Sequence, residues 1–180
     1  MKQHMSFKQG FSVQIGRPTL IMESGQVRFG GRFGLEIFDK KGRRINVLDF
    51  LNGITNEGLT DLLQAYFKDG VASPAWYFGL IAGTGTLNAA DTLASYAGWT
   101  EFTDYTGDRK AWMPEDAAAR EIGNITTSDF AITGSGTLKG AFLASVDTGT
   151  AGILWSTGLF NTNQPVENGN TIKLSYVLSG

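Results

Sequence analysis

The chain has 180 residues, no cysteine and a single histidine, His4. That excludes disulfides, thiolate nucleophiles and cysteine-ligated zinc, and it leaves no set of histidines for a catalytic triad or a multi-histidine metal centre. Hydrophobic residues at 42% and charged residues at 18% predict a globular chain able to offset the entropy of ordering. The net charge of −2 conceals a split, with nine Lys/Arg against four Asp/Glu in residues 1–50 and six against thirteen in residues 51–180.

The 24 glycines, with only four prolines and no triplet period, predict short strands joined by many tight turns. No window is apolar over the length of a membrane span, and the opening MKQHMSFKQG lacks the continuous apolar stretch of a secretory signal. The expectation is therefore no membrane and no signal-directed export.

Residues 1–26 carry Phe7, Phe11, Val13, Ile15, Leu20 and Ile21 among glycines, with neither helical nor strand periodicity. They read as an extended arm, and this apolar content argues for packing on something rather than for solvation. The remainder, 27–180, reads as one domain. Val27, Phe29, Phe33, Leu35 and Ile37 predict a strand over 27–38 with a bulge near Gly30-Gly31. Lys40, Lys41 and Gly42 make a turn into a hairpin partner from Arg44 to Leu48.

Thr55 or Asn56 is a helix N-cap, and Leu59, Leu62, Leu63, Tyr66 and Phe67 fall at helical spacing before Gly70, predicting one helix near residues 56–68 with this stripe in the core. The apolar run 75–82 predicts a buried strand. Residues 83–99 form a loop with one turn at 91–96. Further strands are predicted at 100–104, 121–125, 129–133, 138–146, 152–160 and 171–178, the last with Ile172, Leu174, Tyr176 and Leu178 on one face. Together these predict a mainly β fold, an antiparallel β-sandwich of jelly-roll or immunoglobulin-like type with the helix at one edge or end; a barrel plugged by the helix is the alternative.

Motifs for chemistry are incomplete. Gly83-Thr84-Gly85 is followed by no Gly-Lys-Ser/Thr, and Asn88 stands where a dinucleotide fingerprint needs its third glycine. Glu101, Asp104 and Asp108 lie near Trp99, Tyr105 and Trp112, an aromatic-acid grouping with which proteins hold sugars. Core aromatics beside solvated acids is the competing reading. Asp104 and Asp108 lack the regular oxygen spacing of a calcium loop, so no metal and no cofactor is expected.

The basic, apolar beginning offers no evident inward face. Phe7, Phe11, Val13, Ile15, Arg17, Leu20, Ile21, Arg28, Phe29 and Arg32 are accordingly the expected subunit interface, with Phe33 as a further aromatic candidate. Its cations are dispersed among apolar residues, which disfavours nucleic acid as the partner and favours the acidic face of a neighbouring copy.

The runs Asn56 to Leu63, Trp76 to Ile81, Ala90 to Ser95 and Gly98 to Glu101, with Arg109 to Trp112, Gly140 to Leu143, Ile153 to Trp155 and Asn168 to Ile172, resemble a family of small tailed-phage virion proteins. The resemblance covers residues 33–178. It implies a head decoration or cement protein, or a related β-sandwich piece of head or tail fibres, with no reaction and no catalytic residues. The partners it implies are the major capsid protein and other copies of the chain. The setting it implies is the capsid surface of a virion made in bacterial host cytoplasm.

Overall fold

The computed structural model describes residues 29–68, 70 and 75–180. The expected arm, with Phe7, Phe11, Val13, Ile15, Arg17, Leu20 and Ile21, and also Arg28, lies outside the described residues.

The fold is mainly β. Strands β1 (Gly30–Phe38) and β2 (Arg44–Ile54) form the expected hairpin and lead into the helix α1 (Asn56–Phe67). Eight strands follow: β3 (Trp76–Ala82), β4 (Thr100–Phe102), β5 (Lys110–Trp112), β6 (Glu121–Ile122), β7 (Ser128–Ala131), β8 (Gly136–Ala144), β9 (Leu154–Val166) and β10 (Thr171–Ser179). All pair antiparallel in one ten-stranded sheet of order β4-β3-β8-β9-β2-β1-β10-β6, with β5 also on β3 and β7 also on β10. Near its edges the sheet meets itself through isolated bridges, Tyr105 to Ile132 and Pro114 to Asn124, and not through a continuous ladder, so it folds over as a sandwich and is not closed into a barrel.

Strand β2 makes the fold-over. Residues 44–52 pair with β1, whereas Gly53 and Ile54 pair with Thr157 and Ser156 of β9. Each half-sheet turns its alternate apolar residues inward. Phe33, Phe50 and Tyr176 of one half meet Phe78 and Phe160 of the other, the Phe33 ring lying 5.3 Å from Phe50, 4.7 Å from Tyr176 and 6.2 Å from Phe78. Phe33 is fully buried, which corrects its reading as an interface residue: its parity on β1 faces the core.

The half containing β3 and β8 is buried on both faces. Phe78 and Leu80 join the central core, while Ile81, Phe142 and Ala144 join a second cluster with Leu93, Trp99 and Leu154. The loop over 83–99 supplies that outer layer, with Trp99 held by its indole N–H donating to Asp91 at 3.1 Å. Burial on both faces is why β3 reads as a continuous apolar run without alternation.

Two strand expectations are corrected. No bulge occurs at Gly30-Gly31, since the register to β10 and β2 is unbroken there and shifts only between Ile37 and Phe38. A side chain at Gly31 would instead collide with the Tyr176 hydroxyl. Second, β9 runs to Val166, because its far end pairs with the start of β8, Gly136 opposite Val166.

The Tyr176 hydroxyl, buried in the core, accepts from Trp155 Nε1 of β9 at 3.2 Å and from Asn52 Nδ2 of β2 at 3.1 Å. It joins three strands across the fold. Replacing Tyr176 by Phe leaves both donors without their acceptor, a cost of about 1–3 kcal/mol to be read from urea denaturation. Burial also pushes the Tyr176 and Tyr105 hydroxyls above the ordinary phenol range. The folded state therefore holds these protons more tightly than the unfolded chain does, so their contribution is intact below about pH 10 and declines as pH rises beyond it. Stability measured against pH should fall above that point, with a shallower decline in Y176F.

Candidate protein-binding site

The start of β1, the end of β2, the start of β3, the start of β9 and the end of β10 lie at one end of the sandwich. The register requires it: Gly31 lies opposite Leu178 and Asn52, Ile54 opposite Ser156, and Trp76 opposite Trp112. Helix α1, which directly follows β2, sits at this end as expected.

Its first turn is fixed tightly. Thr55 is the N-cap, accepting from the Gly58 N–H at 3.0 Å, donating its hydroxyl proton to the Leu154 carbonyl, and donating its own N–H to Trp155 O at 3.0 Å. The Glu57 carboxylate accepts from the Leu154 N–H at 2.7 Å, which also places negative charge at the positive end of the helix dipole. Gly58 is the one fully buried helix residue, and an added Cβ would stand 2.7 Å from the Trp155 carbonyl oxygen. The missing side chain is what lets the helix approach β9.

The expected core stripe is core only in part, with Leu59 half-buried. Leu62 packs on the central cluster, but Leu63, Tyr66 and Phe67 are 56%, 79% and 76% exposed. The Tyr66 and Phe67 rings make an edge-to-face pair at 4.8 Å. The reason is rotational: Gly58, Leu62 and Ala65, at i, i+4 and i+7, form the face that meets the sheet, and the larger stripe is turned away. Small residues within the helix were the available signal.

Beside α1 opens an apolar groove of about 210 Å3. Its lining comes from Asp61, Leu62 and Ala65 of α1, from Trp76, Trp112, Leu143 and Trp155, and from Ile122 and Leu178. Trp155 donates to Tyr176, and Trp112 donates to Asn124 Oδ1 at 2.9 Å. Those two indole N–H groups are satisfied within the protein, leaving hydrocarbon to line the groove. Burial, reinforced by the neighbouring Glu57 charge, raises the Asp61 carboxyl pKa above its usual range.

Two of the expected interface residues fall within the described chain. Phe29 is 44% exposed at the root of β1, with its ring against Gly180. Arg32 lies on the outer face of the β1/β2 half, 4.0 Å from Asp49. That face also exposes Ile45, Val47 and Leu51 of β2. Phe29 therefore neighbours the groove end, whereas Arg32 belongs to a sheet face.

The aromatic-acid grouping for sugars is not assembled as a platform. Trp99, Tyr105 and Trp112 are 3%, 7% and 9% exposed, and stacking needs an open ring face. Glu101 instead clamps Arg109 with two bonds of 2.8 and 2.7 Å, and Arg109 also donates to Val146 O at 3.0 Å. Gly83-Thr84-Gly85 is a turn leaving β3, with both glycines at positive φ and the following Thr86 N–H bonded to Gly98 O at 2.8 Å. Among the described residues no group of three His, Asp or Glu side chains is placed to hold a metal ion, and no helix is long and apolar enough to cross a membrane. No protein-family model and no curated protein matches this chain.

A test of how the helix is seated is Gly58→Ala. Helix propensity alone favours alanine by about 1 kcal/mol, while forcing a methyl against the Trp155 backbone costs about 1–3 kcal/mol. The clash should prevail, giving a lower melting temperature in calorimetry.

Proposed function

We propose that this chain is a non-enzymatic structural subunit of a tailed-phage particle, binding the outside of the capsid and stabilising it by bridging neighbouring subunits. The observation that carries the subunit-binding part is the exposed stripe Leu63, Tyr66 and Phe67, held on a helix whose first turn is anchored by the Thr55 and Glu57 hydrogen bonds. Aromatic side chains on a rigid element lose little entropy when covered, and they recur as anchors of protein interfaces. The phage setting rests on the resemblance of the segments between residues 33 and 178. The partners are then the major capsid protein and other copies of this chain. Binding repeated over a symmetric shell makes weak individual contacts collectively strong.

Two experiments test this reading. Particles from a lysate producing the chain should carry it in hundreds of copies, as counted by quantitative mass spectrometry; a few copies would indicate a fibre or tail component, and none would remove it from the particle. Separately, the triple substitution Leu63→Ser, Tyr66→Ser and Phe67→Ser should change folding stability by no more than about 0.5 kcal/mol per site yet abolish co-sedimentation with capsids. Deletion of residues 1–25 should leave the core folded with the same loss of binding.

A further inference from the structure

The groove between α1 and the end of the sandwich is apolar, open and lined by three of the chain's four tryptophans. At about 210 Å3 it is smaller than the ~300–1,000 Å3 typical of small-molecule sites, and matches the side chains of a peptide better. We propose that it receives residues 1–28 of a second copy of this chain, so that copies are joined by exchanged N-terminal segments. This rests on the subunit-binding reading above and names the partner of that end of the molecule.

Three observations select this occupant. The first is chemical. Residues 1–28 hold Phe7, Phe11, Val13 and Ile15 as apolar anchors, and Lys2, Lys8, Arg17 and Arg28 against Glu23 give them a net charge of +3. The groove offers hydrocarbon together with one carboxylate, Asp61 of α1. A cation from the segment relieves the Asp61 carboxylate, which sits partly desolvated beside Glu57. The second is position. The segment joins the described chain at Phe29, whose ring lies on Gly180, at the end of β10, and Leu178 of β10 lines the groove.

The third is length, which is enough to carry the segment to a second copy. Ile15 precedes Phe29 by 14 residues and Phe7 by 22, a maximum reach of about 50 and 75 Å. Copies meeting end to end about a twofold axis bring each root near the other's groove, making one self-complementary interface.

Full-length chain and full-length variants test the proposal by analytical ultracentrifugation. Wild type should self-associate reversibly. The groove variant Ala65→Glu and the segment variant Phe7→Ser/Phe11→Ser/Ile15→Ser should each weaken association by at least about tenfold. An equimolar mixture of the two should regain association, because the intact segment of one meets the intact groove of the other. Ile122→Glu, on β6 in the same groove, repeats the groove test should Ala65→Glu fold poorly. A wild type monomeric at every concentration overturns the proposal, as does association untouched by both groove substitutions. A monomer whose tryptophan emission shifts when the segment is substituted assigns the groove to the chain's own segment and equally overturns it. Capsid binding by a chain that never self-associates would leave the function proposed above standing while removing this inference.

Discussion

The hydroxyl of Tyr176 is where the two halves of the sheet are tied together. It takes hydrogen bonds from β2 and β9 while its ring contributes to the aromatic core with Phe33 and Trp112. A polar atom this deep is costly unless satisfied, so it selects the one arrangement in which Asn52, Trp155 and Tyr176 converge. Gly31 is required for the same reason, since a side chain there would occupy the hydroxyl's place. The packing of the central core and the geometry of the sandwich end both depend on this point. Trp155, held by it, lines the groove and also supplies the backbone carbonyl that accepts from the Thr55 N–H.

Helix α1 is positioned by its beginning and exposed along its later turns. The Thr55 cap, the Glu57 carboxylate and the absent side chain of Gly58 hold its first turn against β9, while Leu63, Tyr66 and Phe67 face solvent. Three large apolar residues left in water on an anchored helix have no role in the central core. A surface of that kind is stabilised by being covered, and the physical case for subunit binding rests there.

Much of the fold is legible in the sequence, for identifiable reasons. The alternation of β1 and β10 follows from having one buried face, and the helix limits follow from the Thr55 cap and Gly70. The continuous run of β3 signals burial, although not that the loop over 83–99 covers its second face. Strand β5 has only three residues, too few for a period, and the length of β9 is set by its distant partner at the start of β8. The candidate site was less legible, because periodicity gives the width of a helical stripe and not its rotation about the axis. Gly58 and Ala65 hold that information, since small residues mark the closest approach. Likewise Trp99, Tyr105 and Trp112 look like a binding platform in sequence, and only tertiary packing closes over them.

The seating of α1 also has a consequence for how helix and sheet are joined. The helix is joined to β9 by several short bonds at adjacent positions, from Thr55 to Leu154 and Trp155 and from Glu57 to Leu154. Its N-terminus is continuous with β2, whose ladder to β1 extends from Asn52 to Arg44. The start of the helix is thus tied at once to β9 by hydrogen bonds and to β2 by the chain itself, two neighbouring strands in the middle of the sheet.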